Sequence, residues 1–349
     1  MTAIKTFASS ISTSNRRFIY LIFAGVFGSF MIFIISGLTS SPPLVIFPLQ
    51  INYRQRPECT CLRSELPLLS SPLTSKQNDS QAFLCSEYAT QRGPHQRIIA
   101  ISLFGPKENR IFQFNRSINF LHALIQDLNI RYSDGFILRI HHDNTINTAD
   151  IICPIECKHP NVDFCNMTHK LYIPPKIWRF IPAGDPLVDV MMSRDLDSAL
   201  TKREREAVDA WLASNKSFHT MRDHPMHGVP MLGGMWGFRP SLNRNLSRII
   251  HDKIHNEKLI KRYGGRGDQG FLSSHIWPVA KASALAHDSF LCVHGFGHRA
   301  DPFPTQRPSA NETNCFIGCV RPCCGYGRMP FGQCPKRCRP KDHPEWIYC

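Results

Sequence analysis

The chain has 349 residues, 42% hydrophobic and 19% charged, with 26 Pro and 14 Cys, so it can bury an ordinary core and is neither disordered nor fibrous. Its 41 Lys and Arg exceed 27 Asp and Glu, a formal charge of +14, which favours an anionic partner: a nucleotide or sugar phosphate, an acidic glycan, a membrane surface or nucleic acid. At ~100–200 residues per domain, the length admits one sizeable domain with smaller appendages and excludes three large ones.

The first element is apolar. Phe18 to Leu38 carries no charge and is long enough to cross a bilayer core of ~30 Å at ~1.5 Å per residue. Lys5, Arg16 and Arg17 precede it without an acid, and the next charge beyond it is Arg54. That bias puts residues 1–17 in the cytosol, 18–38 in the membrane as a signal-anchor, and the remainder in the lumen or outside. A cleaved signal peptide is the alternative, but its apolar region usually runs to ~7–15 residues before a small-x-small site, which Gly37 to Ser41 matches poorly. Every Cys lies beyond the span, as do N-x-S/T sequons at Asn78, Asn115, Asn166, Asn215, Asn245 and Asn311. Both placements suit an oxidising secretory compartment and weigh against nucleic acid as the partner.

Residues 39–95 are rich in Ser, Pro, Gln and Thr without periodicity and read as a luminal stem, with Cys59, Cys61 and Cys85 as possible staples. From about residue 96 short apolar runs alternate with amphipathic stretches, the pattern of an α/β head over 96–307. Ile98 to Gly105 predicts a buried strand, and Ile118, Leu121, Leu124, Ile125 and Leu128 recur at helical spacing. Gly135 to Ile140 predicts a second strand, ending on His141, His142 and Asp143. Strand, helix, strand builds a parallel sheet whose carboxyl ends carry the ligand site. Asp189 to Met192 predicts a third buried strand, terminating in Ser193-Arg194-Asp195-Leu196-Asp197-Ser198. Thr201 with Glu204 forms a capping box for the helix that follows. A further amphipathic helix is expected over Asn245 to Arg262. After Pro302 the texture changes to Gly, Pro, Arg and clustered Cys from Cys315 to Cys349, a small disulfide module at 308–349. Its Cys number is odd, so one should reach the head, pair with another chain or stay free.

Asp195-x-Asp197 carries the chemistry. Two carboxylates leaving a sheet in one turn suit a hard cation, Mn²⁺ or Mg²⁺, that neutralises a diphosphate. A bare D-x-D is a weak signal, and a solvated turn capping the next helix is its alternative.

Tail, single span, stem and a head with D-x-D at a strand end resemble the type II Golgi glycosyltransferases of the GT-A fold. More specific blocks resemble predicted glycosyltransferase-like proteins of invertebrates: Trp178-Arg-Phe-x-Pro-x-Gly-Asp185, Val188-Asp-Val-x-x-Ser-Arg-Asp-Leu-Asp-Ser198 and Arg203-Glu-x-x-Ala-Val-x-x-Trp211. The set continues through His219-x-Met-Arg-Asp-His-Pro225, Leu232-Gly-Gly-Met-Trp-Gly237, Gly267-Asp-Gln-Gly-Phe-Leu272, His287-Asp-Ser-Phe-x-Cys292 and Phe303-Pro-Thr-Gln-Arg307. It covers Arg97 to Arg307 and leaves anchor, stem and Cys-rich tail outside.

The resemblance implies an α/β, GT-A-like (Rossmann-like), mostly parallel sheet flanked by helices, and a metal-dependent hexosyltransferase-like enzyme in the Golgi membrane. Its partners would be a nucleotide-sugar donor and a glycan, protein or lipid acceptor. Asp195 and Asp197 match the metal and donor-diphosphate motif, with His287 as third metal ligand and His294 and His298 behind it. Arg194 would neutralise phosphate, or else pair with Asp185 or Asp189, and Asp143 would contact the nucleoside. Asp268 or Asp223 would act as base toward the acceptor hydroxyl, with Gln269, His224 and Trp236 as acceptor contacts, Trp236 stacking on the sugar. Each has a structural alternative: Asp268 stabilising a helix dipole, Asp223 in a turn with Arg222, Trp236 buried in a Gly-rich turn. Two other functions stay open: a catalytically inactive GT-A-like protein that binds glycans or proteins, and a luminal metal-dependent hydrolase.

Overall fold

A computed structural model of the chain describes residues 85–105, 111–264, 267–292, 296–297, 299–307, 316–321 and 333–349. The cytosolic tail, the expected span 18–38, the stem as far as residue 84, His294 and His298 lie outside the described residues. Among the described residues no helix is long and apolar enough to cross a membrane. All of them fall in one of the two units into which the chain divides, Leu49–Cys349.

The apolar runs become a seven-stranded sheet: β1 (Gln96–Leu103), β2 (Phe136–His142), β3 (Val162–Asn166), β4 (Val188–Arg194), β5 (Phe218–Arg222), β6 (Met235–Phe238) and β7 (Ala284–Asp288), in the order β3-β2-β1-β4-β6-β5-β7. β1 pairs in parallel with β2 and β4, β2 with β3 and β5 with β7, while β6 runs antiparallel between β4 and β5. This mixed α/β layout, mostly parallel with flanking helices, fits the expected GT-A-like fold. The strands are buried on both faces, which is why β1, β2 and β4 read as near-continuous apolar runs.

Two cores lie on opposite faces. One holds Ile98, Ala100, Trp178, Phe180, Met191, Trp236 and Phe271; the other holds Ile99, Ile101, Leu103, Met192, Val208 and Trp211, with Leu121, Leu124, Ile125 and Leu128 of helix α1 (Ile111–Arg131). Along β4 the alternation slips once: Gln96 pairs with Val188, but Arg97 pairs with Val190. The bulge at Asp189 puts Val188 with Met191 on one face and Val190 with Met192 on the other. It therefore sets which way the residues at the end of β4 point.

Helix α2 (Lys202–Ala213) starts where the capping box predicts, with Thr201 Oγ1 accepting from the Glu204 N–H at 3.1 Å. Only half of the box forms, because the Glu204 carboxylate turns inward to Arg194 and Tyr132. The helix expected over 245–262 is interrupted: α3 (Arg244–His255) ends at Asn256, whose side chain caps a new turn at the Leu259 N–H. Helix α4 (Gly267–Phe271) begins with the Asp268-Gln269 pair.

Both ends of the chain's described part are stapled. Cys85 joins Cys165 of β3, and Arg92 pairs with Asp163 at 2.8 Å, so residues 85–95 are tied to the sheet. Cys338 reaches Cys292 in the head, one of the three outcomes that the odd tail number left open, and Cys334 joins Cys349. Cys153, Cys157 and Cys319 are also disulfide-bonded.

Candidate functional site

A pocket of about 300 Å³ opens beyond the carboxyl ends of β1 and β4 and includes Ser102, Phe104, Lys176, Asp195, Asp197 and Asp268 in its wall. β2 lies on one side of β1 and β4 on the other, so the pocket sits where strand order reverses, the usual ligand crevice of an open α/β sheet. Asp195 and Asp197 are both half-buried there, and Asp268 enters from α4. The structure thus brings together three of the five carboxylates expected in donor and acceptor roles, Asp195, Asp197 and Asp268, and leaves Asp143 and Asp223 outside the pocket wall.

Arg179 holds two of them. It follows the short turn Pro175–Trp178 and is buried, with one guanidinium nitrogen on the Asp195 carboxylate and on Arg194 O at 3.0 Å, and another on Asp268 Oδ2 at 3.0 Å. Burial pushes its pKa down, but Asp195 and Asp268 outweigh that and raise it, so it is a permanent cation. The sequence reading missed Arg179 as a site residue. Its only signal was its place in the Trp178-Arg-Phe block, and nothing in the spacing ties it to Asp195 or Asp268.

Gly233 and Gly234 let two of the pocket carboxylates come close to the backbone. A Cβ on Gly234 would lie 1.9 Å from Asp195 Oδ2, and one on Gly233 would lie 2.5 Å from Asp268 Oδ2. The loop is fastened by Ser193 Oγ, which donates to Gly233 O at 2.6 Å. Gln269 adds a second tie. In the amide orientation that satisfies both of its atoms, it accepts from the Gly233 N–H at 2.7 Å and donates to Met231 O at 3.1 Å. Its contacts are with the loop that backs Asp195.

The remaining expected residues lie elsewhere. Arg194 points into the opposite core, donating to Glu204 Oε1 at 2.6 Å and Trp236 O at 3.1 Å, so it pairs with neither phosphate space, Asp185 nor Asp189. Asp185 is taken by Arg139 and Asp189 by Arg244. Trp236 is fully buried on β6, edge-on to Phe180 at 5.3 Å, and offers no face to a sugar. Asp143, after β2, accepts from the Thr145 N–H at 3.1 Å and is not in the pocket wall.

His287 is buried in β7, 2.9 Å from His219 and stacked on Phe303. Burial and nearby Arg203 push its pKa down to about 3. Its partners are these rings, not Asp195 or Asp197. Asp223 is fully buried beyond β5. Arg203 donates to both its oxygens at 3.1 and 3.0 Å, Ser289 Oγ donates at 2.7 Å and the Ile317 N–H at 3.1 Å. Burial pushes the carboxyl pKa up, yet Arg203, Arg307 and Ser289 hold it below the usual carboxylate range. An occluded, stabilised anion has no access to an acceptor hydroxyl, which removes the geometric basis for Asp223 as a base. His224 is buried beside it, against Phe316 at 4.5 Å.

Among the described residues no group of three or more His, Cys, Asp or Glu is placed to hold a metal ion. The pair Asp195 and Asp197 still fits a hard cation of the Mg²⁺ or Mn²⁺ kind, which is commonly bound by one or two carboxylates plus substrate phosphates. Both are oxygen donors on one pocket, and the missing side chain of Gly234 leaves the room that Asp195 fills.

No family model and no curated protein matches the chain. Solved structures similar to it include a glycosyltransferase involved in glycosylation of the major capsid of PBCV-1, at 13% identity over 58% of this chain and 87% of that one, with a TM-score of 0.33. The galactosyltransferase LgtC in complex with donor and acceptor sugar analogues matches at 11% over 55% of this chain and 73% of that one, with a TM-score of 0.37. A 4-diphosphocytidyl-2C-methyl-D-erythritol synthase from Anaerococcus prevotii matches at 10%, over 55% and 86%, with a TM-score of 0.36. Scores this low identify neither an activity nor a substrate.

Proposed function

We propose that the chain is a glycosyltransferase that moves a sugar from a nucleotide-sugar donor to a glycan, protein or lipid acceptor. The observation that carries this reading is the pocket at the switch point between β1 and β4, walled by Asp195, Asp197 and Asp268. Asp195 and Asp197 would hold Mn²⁺ or Mg²⁺, and the ion would supply charge neutralisation for the donor's diphosphate leaving group. Arg179 keeps Asp195 and Asp268 at a fixed spacing, so the donor and acceptor sides of the pocket are set before substrate arrives. Asp268, on the wall of the same pocket, would take the proton of the acceptor hydroxyl, and Gln269 holds the glycine loop that backs Asp195. The enzyme acts as a single-pass type II protein of the Golgi membrane with its head in the lumen, a reading that rests on the charge bias around 18–38 and on the placement of the Cys and sequons.

The test is calorimetric titration of the detergent-solubilised full chain with UDP, GDP, CDP and ADP, with and without Mn²⁺. Manganese-dependent binding of one nucleotide, lost in Asp197→Ala with folding intact, is the expected result. No binding by folded protein overturns it in favour of the catalytically inactive reading. One observation favours that alternative: a guanidinium already engages both Asp195 and Asp268. Protease protection of the head in sealed microsomes tests the topology.

A further inference from the structure

The Cys-rich tail reads as a separate module, yet its segment 316–321 lies directly against the Asp195–Asp197 turn. The Arg321 N–H donates to Asp197 O at 2.8 Å, and Val320 pairs with Ser198 in an antiparallel bridge. The Arg321 guanidinium binds Asp127 Oδ2 on α1, and that same oxygen accepts the Leu200 N–H at 2.9 Å. So the backbone from Asp197 to Leu200 is gripped from two sides by one residue of the tail and its acidic partner.

The segment is itself moored. Ile317 is buried among Ala207, Met221, Met235 and Phe303, and its N–H donates to Asp223 Oδ2 at 3.1 Å. Gly318 has φ 86°, and a Cβ there would meet Met235 Sδ at 2.4 Å, so only glycine lets the chain turn this close to β6. Cys319 is disulfide-bonded as well. The buried knot of Asp223, Arg203 and Ser289, none of which lines the Asp195–Asp197 pocket, thereby acquires a purpose as the mooring of this strap.

We infer that segment 316–321 is a strap that positions Asp197 in the donor site, with Arg321 as its positioning residue. The inference rests on the reading of Asp195 and Asp197 as the cation and diphosphate site. A binding constellation must be held to within about 0.5 Å to work, and Asp197 sits in the six-residue connection 195–200 between a strand and a helix cap, outside any regular element. The strap restrains that connection from outside it.

The experiment measures Mn²⁺-dependent binding of the four nucleoside diphosphates to the full chain, beside thermal unfolding, in Arg321→Ala, Arg321→Lys and Asp127→Asn. Asp127→Asn keeps an acceptor for the Leu200 N–H and removes only the ion pair. Arg321→Ala and Asp127→Asn each weaken binding about fivefold, the double variant loses no more than either, and Arg321→Lys recovers most of it whatever its melting temperature. Unchanged affinity in Arg321→Ala, while Asp197→Ala abolishes binding, overturns the strap and leaves the functional reading intact. So does an affinity that merely follows the melting temperature across the series. If the wild-type chain binds no nucleotide with Mn²⁺, the functional reading falls first, and the strap with it.

Discussion

β4 and β5 end in nearly the same letters, Met192-Ser-Arg-Asp195 and Thr220-Met-Arg-Asp223, and the structure uses them in opposite ways. The two arginines behave alike: Arg194 turns inward to Glu204 and Arg222 to Asp288, each pair almost wholly buried. The aspartates diverge. The Asp195 side chain stays 41% exposed and, among the described residues, pairs with Arg179 alone, while that of Asp223 is 0% exposed between Arg203 and Arg307. What arrives next to each strand makes the difference. Gly234 backs Asp195 and leaves its carboxylate on a pocket, whereas Ser289, Ile317 and the tail close over Asp223. A strand-end Arg-Asp pair is therefore a place where a site can form, and the neighbours decide whether one does.

The sharpest way to break this contrast is to neutralise each aspartate in turn. Asp223→Asn leaves two buried arginines without their anion and should cost about 3–5 kcal/mol, seen as a large fall in melting temperature. Asp195→Asn, at a half-exposed site, should cost under about 1 kcal/mol while eliminating Mn²⁺-dependent nucleotide binding. The reverse pattern would exchange the roles of the two strand ends.

Acid separates the two regions next. His219 and His287 are buried with pKa values pushed well below 6.5 by burial and, for His219, also by its neighbour, His287 reaching about 3. The unfolded form of His287 takes up its proton first, so the stability it contributes is complete above pH ~6.5 and is lost as pH falls toward 3, at about 2 kcal/mol by pH 5, and His219 adds a loss in the same direction. Asp223, with its folded pKa lowered, adds a loss in the same direction as pH falls through that value. Melting temperature should therefore drop between pH 6.5 and 4, and His287→Gln, which keeps a hydrogen-bonding group toward His219, should flatten that slope.

The smallest effect sharpens the β4 side alone. Gly234→Ala puts a methyl where the Asp195 carboxylate now rests and should weaken nucleotide binding about tenfold, roughly 1.4 kcal/mol, by displacing it. Gly264→Ala, where the nearest atom to a new Cβ is 3.7 Å away, should leave binding unchanged and serves as the matched control.

Much of this layout was legible in the chain. Continuous apolar runs announced β1, β2 and β4 because those strands are buried on both faces. Thr201 marked the start of α2, and the order of runs placed Asp195 and Asp197 at a carboxyl edge. The failures are local and physical. Arg194 was assigned to the phosphates because its neighbours in sequence are Asp195 and Asp197, but alternation along β4 after the bulge at Asp189 carries it to the other face. Trp236 was offered to a sugar because glycines flank it, yet β6 lies inside the sheet between β4 and β5. Arg179 carries no periodic sequence signal because it only follows a four-residue turn.

By itself the sequence determined β1, β2 and β4, the cap at Thr201, the place of the D-x-D turn and the oxidised, disulfide-bearing character of the chain, since each follows from residues adjacent along it. Only the tertiary structure decided which acids share a pocket, which arginine joins Asp195 to Asp268, why Asp223 is sealed, and that the tail lies on the donor turn. Those facts are contacts between residues tens to more than a hundred positions apart, such as Arg321 on Asp127 and Arg179 on Asp268. Contacts of that kind are set by strand order and by one bulge, and no local pattern in the chain encodes either.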